Sequence, residues 1–177
     1  MRSLNTYLET ATNDDVCSES LLDNDSVFLS KTDKKIIEKW INDNYNYIGR
    51  LSISNDRAVH CPGPVVVKNK SIESLTNGLF RWGWIKRSFY CNDCKNLKTL
   101  EGAPEKVGES FWCRGCTSLT TLEGSPKSVG GDLDCSNCKS LETLSGCPEF
   151  VGLLVSCKNC PDLKITDSDR KKYKIVG

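Results

Sequence analysis

The sequence predicts a β-rich repeat solenoid: a right-handed coil of about 22 residues per turn, with a helix and hairpin cap at the N-terminal end and a short C-terminal cap. Two observations support this fold class. Three units of 22 residues follow one another without a gap, and a partial fourth unit begins at residue 154. Apolar residues, glycines and prolines recur in these units along with the cysteines. The units read SFYCNDCKNLKTLEGAPEKVGE (88–109), SFWCRGCTSLTTLEGSPKSVGG (110–131), DLDCSNCKSLETLSGCPEFVGL (132–153) and LVSCKNCPDLKITD (154–167).

Such units must stack in order to fold. One coil buries about six apolar side chains, which contributes on the order of 10–15 kcal/mol at full burial. Ordering its backbone costs roughly 1–2 kcal/mol per residue, so a lone coil is unstable and its neighbours must supply further burial. The recurring positions are Phe89, Phe111, Leu133 and Val155; Leu97, Leu119, Leu141 and Leu163; Leu100, Leu122 and Leu144; Gly102, Gly124 and Gly146; Pro104, Pro126 and Pro148; and Val107, Val129 and Val151.

The stretch F-x-C-x-x-C-x-x-L-x-x-L resembles the leucine-rich-repeat consensus L-x-L-x-x-N/C-x-L, with one additional residue before the leucine. In that scheme Phe111 and Cys113 point inward from a short strand. Cys116 takes the ladder position, usually Asn or Cys, at which the chain turns away from the strand. The Gly-x-Pro segment then forms the turn on the far side of the coil, because glycine permits positive φ and proline fixes φ.

The eight cysteines of the four C-x-x-C pairs have a second interpretation. With 18 residues between one pair and the next, their spacing also fits four-cysteine zinc sites. The upstream segment VVVKNKSIESL (65–75), a degenerate coil of the repeat, favours the structural interpretation. When its Ile72 and Leu75 are aligned with Leu97 and Leu100, Val66 takes the position of the first cysteine and Asn69 that of the second. Valine and asparagine cannot form a thiolate pair, but they suit a core position and a ladder position of a solenoid. We therefore expect core cysteines and no cofactor. The zinc alternative would use Cys91, Cys94, Cys113, Cys116, Cys135, Cys138, Cys157 and Cys160.

The chain divides into four segments. Residues 1–30 carry six acidic residues against one basic residue, and we expect this segment to be flexible. Residues 31–64 are expected to form the N-terminal helix and hairpin cap. Residues 65–165 form the leucine-rich-like repeats, in which FRWGWIKRS is a longer link between the degenerate coil and the first full unit. Residues 166–177 break the repeat and form the C-terminal cap.

Helix-capping residues and alternation predict the structure of both caps. Thr32 is the expected N-cap of a helix over TDKKIIEKWINDN, whose apolar face covers the open end of the solenoid. LSIS and AVHC alternate like the two strands of a hairpin. At the other end, Asp167 or Ser168 is expected to cap a short helix.

Residues that flank the inward apolar residue of each repeated strand point outward and line up as columns. Tyr90 and Trp112 are expected to stand side by side on this face, with two aspartates alongside. Aromatic side chains next to acidic ones are a reasonable anchor for a protein partner. The alternative is that the N-terminal segment or the FRWGWI link folds over these rings. The candidate partner-binding residues are Ser88, Tyr90, Ser110, Trp112, Asp132 and Asp134.

Composition and motifs argue against several other functions. The net charge of +1 gives no reason to expect nucleic acid or an anionic membrane as a partner. The sequence has no long apolar run and no secretory signal, so we expect a reducing cytoplasm and free thiols. It carries no phosphate loop, G-x-G-x-x-G or G-x-S-x-G motif. His60 and Cys61 are adjacent, but neighbouring strand residues face opposite ways. No enzyme activity is expected.

A family resemblance follows from these motifs. The unit L-x-x-LEG-x-P-x-x-VG-x-x-F-x-C resembles the short leucine-rich-like repeats of uncharacterised proteins from large tailed bacteriophages. IIEKWINDNY, followed by LSIS, VVVKNKSIESL and SFYC, is similar to the N-terminal half of those proteins, so the resemblance covers roughly residues 33–170. It implies a phage-encoded solenoid but names no activity.

The sequence thus predicts a non-catalytic protein-interaction module that binds a protein partner on the strand face. Modulation of a host protein in the bacterial cytoplasm is one role for it. A minor virion or head-internal structural protein is the first alternative, and a zinc-stabilised four-cysteine module is the second.

Overall fold

Two β-sheets form the solenoid, and each coil contributes one strand to each sheet. The computed structural model describes residues 29–177, so nearly all of the segment 1–30 lies outside the described residues. The elements are α1 (Lys31–Asn44), β1 (Tyr45–Tyr47), β2 (Ser52–Ile53), β3 (Ala58–Cys61), β4 (Val65–Val67), β5 (Arg81–Ile85), β6 (Phe89–Tyr90), β7 (Lys106–Val107), β8 (Phe111–Trp112), β9 (Ser128–Val129), β10 (Leu133–Asp134), β11 (Phe150–Val151), β12 (Val155–Ser156), α2 (Asp167–Lys172) and β13 (Ile175–Val176).

The strand order shows how the coils stack. A seven-stranded sheet has the order β1-β4-β6-β8-β10-β12-β13, and a six-stranded sheet has the order β11-β9-β7-β5-β3-β2. Within residues 29–177, only the pair at the N-terminal end of each sheet, β1 with β4 and β2 with β3, is antiparallel. The later pairs are parallel, with Phe89 opposite Phe111 and Phe111 opposite Leu133. The predicted repeat solenoid is therefore confirmed, with a spacing of about 22 residues.

Each C-x-x-C pair spans a tight turn that ends a strand of the seven-stranded sheet. The backbone N–H of Cys116 donates to the carbonyl of Cys113 at 3.4 Å, and Cys138 repeats this bond to Cys135. A type II turn needs positive φ at its third residue, a position that favours Gly, Asn and Asp. The residues there are Asp93 (φ 60°), Gly115 (φ 70°), Asn137 (φ 63°) and Asn159 (φ 57°).

The second sheet lies beyond the Gly-x-Pro turn and was not predicted. Gly124 has the expected positive φ, 82°, at this turn. The chain then forms two-residue strands that pair in register, with Val107 opposite Val129 and Val129 opposite Val151. FRWGWIKRS contains β5, the longest strand of this sheet, and Trp82 in it is fully buried. The prediction of a link there was wrong, because this stretch is the second strand of the degenerate coil.

The core fills the space between the two sheets. Phe89 and Phe111 stack face to face, with ring centroids 5.6 Å apart and planes inclined by 3°. Six residues of the second unit have no exposed surface, as the repeat pattern predicts for inward positions. They are Phe111, Cys113, Cys116, Leu119, Leu122 and Val129.

The N-terminal cap is a helix and a hairpin, as predicted, but the helix starts earlier than expected. Ser30, and not Thr32, is the N-cap residue: its hydroxyl accepts the N–H of Asp33, whose carboxylate accepts the N–H of Ser30. Ile37 and Ile41 are buried against the first coil. The strands β2 and β3 form the predicted antiparallel hairpin.

The C-terminal cap combines α2 and β13. Thr166 is the N-cap of α2 and forms a capping box with Asp169, so the prediction of Asp167 or Ser168 was one or two residues late. Tyr173 follows the helix, is buried, and donates its hydroxyl to the carbonyl of Pro148 at 2.8 Å. The strand β13 then extends the seven-stranded sheet.

The degenerate coil differs from its alignment by one residue. Val65 lies opposite Phe89 and Val66 opposite Tyr90, so Val67 and not Val66 takes the buried place of the first cysteine. The alignment is correct further along the chain. The backbone N–H of Ile72 donates to the carbonyl of Asn69, and the backbone N–H of Leu97 donates to the carbonyl of Cys94 in the same way. The turn of this coil is therefore one residue shorter than in the full units.

Candidate functional site

The predicted aromatic pair lies on the outer face of the seven-stranded sheet. Tyr90 and Trp112 are opposite each other in adjacent parallel strands. Their ring centroids are 5.5 Å apart and their planes are inclined by 61°, an edge-to-face arrangement that aromatic pairs prefer. Both side chains are half-buried rather than fully exposed. Val66 precedes them in the column and Asp134 follows.

Arg114 completes this surface and was missed by the sequence analysis. Its guanidinium carbon lies 5.7 Å from the centroid of the Trp112 ring, within cation–π distance. Its Nε lies 3.5 Å from Oδ2 of Asp134 in the next coil. Strand alternation gives no signal for it, because Arg114 lies in the C-x-x-C turn that follows the strand.

The side chain of Asp134 is mostly buried and contacts Arg114. Its side chain is 15% exposed, against 46% for that of Arg114. Oδ1 accepts the backbone N–H of Ser136 at 2.9 Å, while Oδ2 faces the guanidinium. Both carboxylate oxygens are therefore engaged within the chain. We call Tyr90, Trp112, Arg114 and Asp134 the aromatic patch.

The other column of predicted partner-binding residues has a structural role. Ser88 is 6% exposed, so the expectation that it faces outward into solvent was wrong. Its hydroxyl accepts the N–H of Ser110 at 3.3 Å, and the hydroxyl of Ser110 accepts the N–H of Asp132 at 3.1 Å. The carboxylate of Asp132 continues the series to the N–H of Leu154 at 3.2 Å. These three side chains therefore accept hydrogen bonds from backbone N–H groups of the following coil. The candidate site is accordingly restricted to the aromatic patch.

One of the two alternative covers for the patch is excluded. The FRWGWI segment forms β5 in the six-stranded sheet and does not fold over Tyr90 and Trp112. The other alternative, the N-terminal segment, lies outside the described residues. Within residues 29–177 the indole Nε1 of Trp112 is covered and has no hydrogen-bond acceptor.

The cysteines form a ladder of their own inside the solenoid. The second thiol of a pair donates to the carbonyl of the first cysteine in the preceding coil. Cys116 reaches Cys91 O at 3.1 Å, and Cys138 reaches Cys113 O at 3.1 Å. Cys160 repeats the contact at 3.3 Å, to Cys135 O. A thiol is a weak donor, but here it satisfies a buried carbonyl as an asparagine would in the same position.

Burial favours the protonated form of several of these thiols. It raises the pKa of Cys135 well above its ordinary value. Interaction with the neighbouring Cys116 thiol, with burial adding to it, raises the pKa of Cys94. Burial also raises the pKa of Cys160 to about 11. A metal site requires thiolates, so the surroundings of these three cysteines oppose the form that zinc would bind.

The geometry does not assemble a zinc site either. Within residues 29–177, no group of three or more His, Cys, Asp or Glu side chains is placed to hold a metal ion. Structural zinc needs four such ligands in a tetrahedral arrangement. The ten cysteines described there are free thiols.

His60 and Cys61 point to opposite faces of β3. Cys61 is fully buried and its thiol lies 3.5 Å from the carbonyl of Ile48. The imidazole of His60 stacks on the exposed ring of Trp84, with ring centroids 5.0 Å apart. Its Nδ1 accepts the backbone N–H of Trp84 at 3.0 Å. Gly83 leaves the space for this, because a Cβ there would overlap the imidazole. The pair is thus not arranged as a nucleophile and its base.

Comparisons with known proteins leave these surfaces to be interpreted from the chain itself. No family model matches the chain, and no curated protein or solved structure shows significant similarity to it. In the part of the chain that the structure describes, no helix is long and apolar enough to cross a membrane.

Proposed function

We propose that the protein is a non-catalytic interaction module that binds a protein partner through the aromatic patch. The observation that carries the proposal is the in-register pair of Tyr90 and Trp112, half-buried on the outer sheet face, with Arg114 beside the tryptophan ring. Trp, Tyr and Arg are the residue types most enriched at the energetic centres of protein interfaces.

The repeat scaffold supports this role. Parallel strands one coil apart hold the two rings on a rigid sheet, so little conformational entropy is lost when a partner binds. Stacked coils also provide the extended surfaces that repeat proteins use for binding.

The unpaired indole N–H of Trp112 gives the proposal a chemical detail. A covered donor without an acceptor costs roughly 1–3 kcal/mol. A partner that displaces Arg114 from the ring and offers a carbonyl or carboxylate to Nε1 would relieve that cost. The partner is therefore expected to place an acceptor at this point of the interface.

The resemblance to phage proteins extends the proposal to a setting. The protein is phage-encoded, acts in the cytoplasm of the bacterial host and modulates a host protein there. A structural protein of the virion would instead co-purify with intact phage particles, which a protein assay of purified particles detects.

A differential enrichment experiment tests the proposal. The full chain, Trp112→Ala and Trp84→Ala are each immobilised and exposed to the same bacterial lysate. Trp84 is the matched control, because it is an exposed tryptophan on the six-stranded sheet. A partner should be recovered by the wild type and by Trp84→Ala but lost from Trp112→Ala while that variant keeps its circular dichroism spectrum. Recovery that depends on Trp84 and not on Trp112 would contradict the proposed surface.

A further inference from the structure

An open groove runs along the C-x-x-C turns beside the aromatic patch. It has a volume of about 370 Å³ and is lined by residues from three successive units: Asn92, Asp93, Arg114, Gly115 and Asn137. Arg114 also contacts the patch, because its guanidinium carbon lies 5.7 Å from the centroid of the Trp112 ring. The groove and the aromatic patch therefore share a wall, and one ligand can contact both.

The groove forms where the middle unit has glycine at the positive-φ position of the turn. The first and third units carry Asp93 and Asn137 at this position, and Gly115 lies between them. A Cβ on Gly115 would overlap Oδ1 of Asp93. The absence of a side chain on the middle turn leaves a depression between its two neighbours.

Hydrogen-bond donors without acceptors line the groove and the patch. The side-chain oxygen of Asn92 accepts the backbone N–H of Arg114 at 3.0 Å. The side-chain oxygen of Asn137 accepts Nδ2 of Asn159 at 3.1 Å. Among the described residues, the amide nitrogens of Asn92 and Asn137 have no acceptor, and Nε1 of Trp112 has none either. A ligand that suits this surface brings acceptors rather than donors.

We propose that the groove and the aromatic patch bind a proline-rich segment of the protein partner in the polyproline II conformation. This inference rests on the proposed function and names the chemical class of the partner. Proline has a backbone carbonyl but no N–H, so a proline segment offers acceptors alone. In the polyproline II conformation these carbonyls make no internal hydrogen bonds, and the proline rings can pack on Tyr90 and Trp112.

The spacing of the coils matches the repeat of this ligand. Adjacent strands lie about 4.8 Å apart, so two coils span about 9.6 Å. A polyproline II helix rises about 3.1 Å per residue with three residues per turn, so equivalent residues recur about every 9.3 Å. A segment that crosses the parallel strands therefore presents the same side to the first and the third unit. Asn92 and Asn137 belong to these two units and can donate to equivalent carbonyls.

The charge of the groove suits an uncharged segment. Arg114 and Asp93 contribute one positive and one negative charge, so the lining is neutral in sum. An acidic segment would meet the Asp93 carboxylate, and a basic segment would meet the Arg114 guanidinium. A proline segment meets neither repulsion. It is also ordered before it binds, so it loses little conformational entropy.

The test is isothermal titration calorimetry of the full chain with acetyl-decaproline amide. One peptide per chain should bind, whereas a glycine–serine peptide of the same length, which is a flexible coil, should not. Trp112→Phe keeps a ring but removes the indole N–H. Asn137→Asp replaces the amide donor by an acceptor, and Asp93 shows that aspartate is accepted at this turn position. Each variant should bind decaproline about fivefold more weakly or worse, the effect of one hydrogen bond.

Asn96→Asp is the matched control for Asn137→Asp. Asn96 is exposed and lies outside the groove, so this variant gains the same charge and should bind decaproline like the wild type. No binding of decaproline, equal binding of the glycine–serine peptide, or unchanged affinity in both Trp112→Phe and Asn137→Asp would each overturn the inference. A lysate partner that depends on Trp112, together with no binding of decaproline, would leave the proposed function standing and refute the proline-rich ligand alone.

A second measurement needs no variant to fold. Decaproline is added to wild-type protein labelled with ¹⁵N, and the side-chain N–H resonances are followed by NMR. The indole N–H of Trp112 and the amide groups of Asn92 and Asn137 should shift, while the indole N–H of Trp84, an exposed tryptophan on the other sheet, should not. Shifts at Trp84 without shifts at Trp112 would contradict the site.

Discussion

Replacement of Phe111 by alanine tests whether the recurring aromatic position is a core position. Phe111 is 0% exposed and stacks on Phe89 in the neighbouring coil. Losing the burial of a Phe side chain costs about 1.5–3 kcal/mol, and losing an aromatic pair adds about 0.5–1.5 kcal/mol. With the cavity that remains, Phe111→Ala should lower the free energy of unfolding by about 3–5 kcal/mol. That is a large part of the roughly 5–15 kcal/mol that stabilises a typical domain.

Phe150 is a control of the same residue type. It is 57% exposed at the edge of the six-stranded sheet. Phe150→Ala should therefore cost no more than about 1 kcal/mol, as most surface substitutions do. Urea unfolding under reducing conditions, followed by circular dichroism and by tryptophan fluorescence, measures both differences. Equal losses for the two variants, or a loss below about 1 kcal/mol for Phe111→Ala, would refute the inward register of the repeat.

Three further predictions concern the turns, the thiols and metal. Gly124→Ala should destabilise the protein more than Gly78→Ala. Both glycines have positive φ, but of the two only Gly124 lies where a Cβ would overlap the neighbouring backbone. The midpoints of urea unfolding of the two variants measure this difference. Cys94 and Cys135 have pKa values in the folded protein above their unfolded value of about 8.5. Their contribution to the free energy of unfolding is therefore fully present below about pH 8.5 and is lost progressively as the pH rises above it. Each should cost about 1.4 kcal/mol per pH unit, measurable by urea unfolding at pH 8 and 9.5; an unchanged midpoint contradicts this. Incubation with EDTA should leave the melting temperature unchanged.

The sequence predicted the inward positions because they depend on chemistry within one unit. Phe111, Cys113 and Leu119 recur as apolar residues at a fixed spacing, and stacking of equivalent coils buries all three. The ladder role of Cys116 followed from the same comparison, and its contact with the preceding coil agrees with it.

The second sheet escaped prediction because its strands are too short to show alternation. Lys106 and Val107 form a strand only through hydrogen bonds to the neighbouring coils. Such pairing is non-local, and no pattern within two residues reveals it. The strand β5, which was predicted to be a link, likewise depends on non-local pairing with β3 and β7.

Only part of the candidate site could be predicted from the sequence, because some of its contacts form only between stacked coils. Tyr90 and Trp112 follow from strand periodicity, so their juxtaposition could be read from the repeat. Ser88 follows from the same periodicity, but its hydroxyl accepts a backbone N–H from the next coil, which is a property of the stacked coils. Arg114 reaches its place through Asp134 of the following unit, and this contact too appears only when coils are stacked.

The measurement that tests the central claim most directly is the metal content of the reduced protein together with a thiol titration before and after unfolding. The chain has 11 cysteines, and the six in the inner pairs are sealed in the core. The account predicts almost no zinc in the purified protein, no reaction of those six thiols until the protein unfolds, and reaction of all 11 afterwards. About two zinc ions per chain, as eight cysteine ligands would bind, released together with loss of the fold, would contradict it.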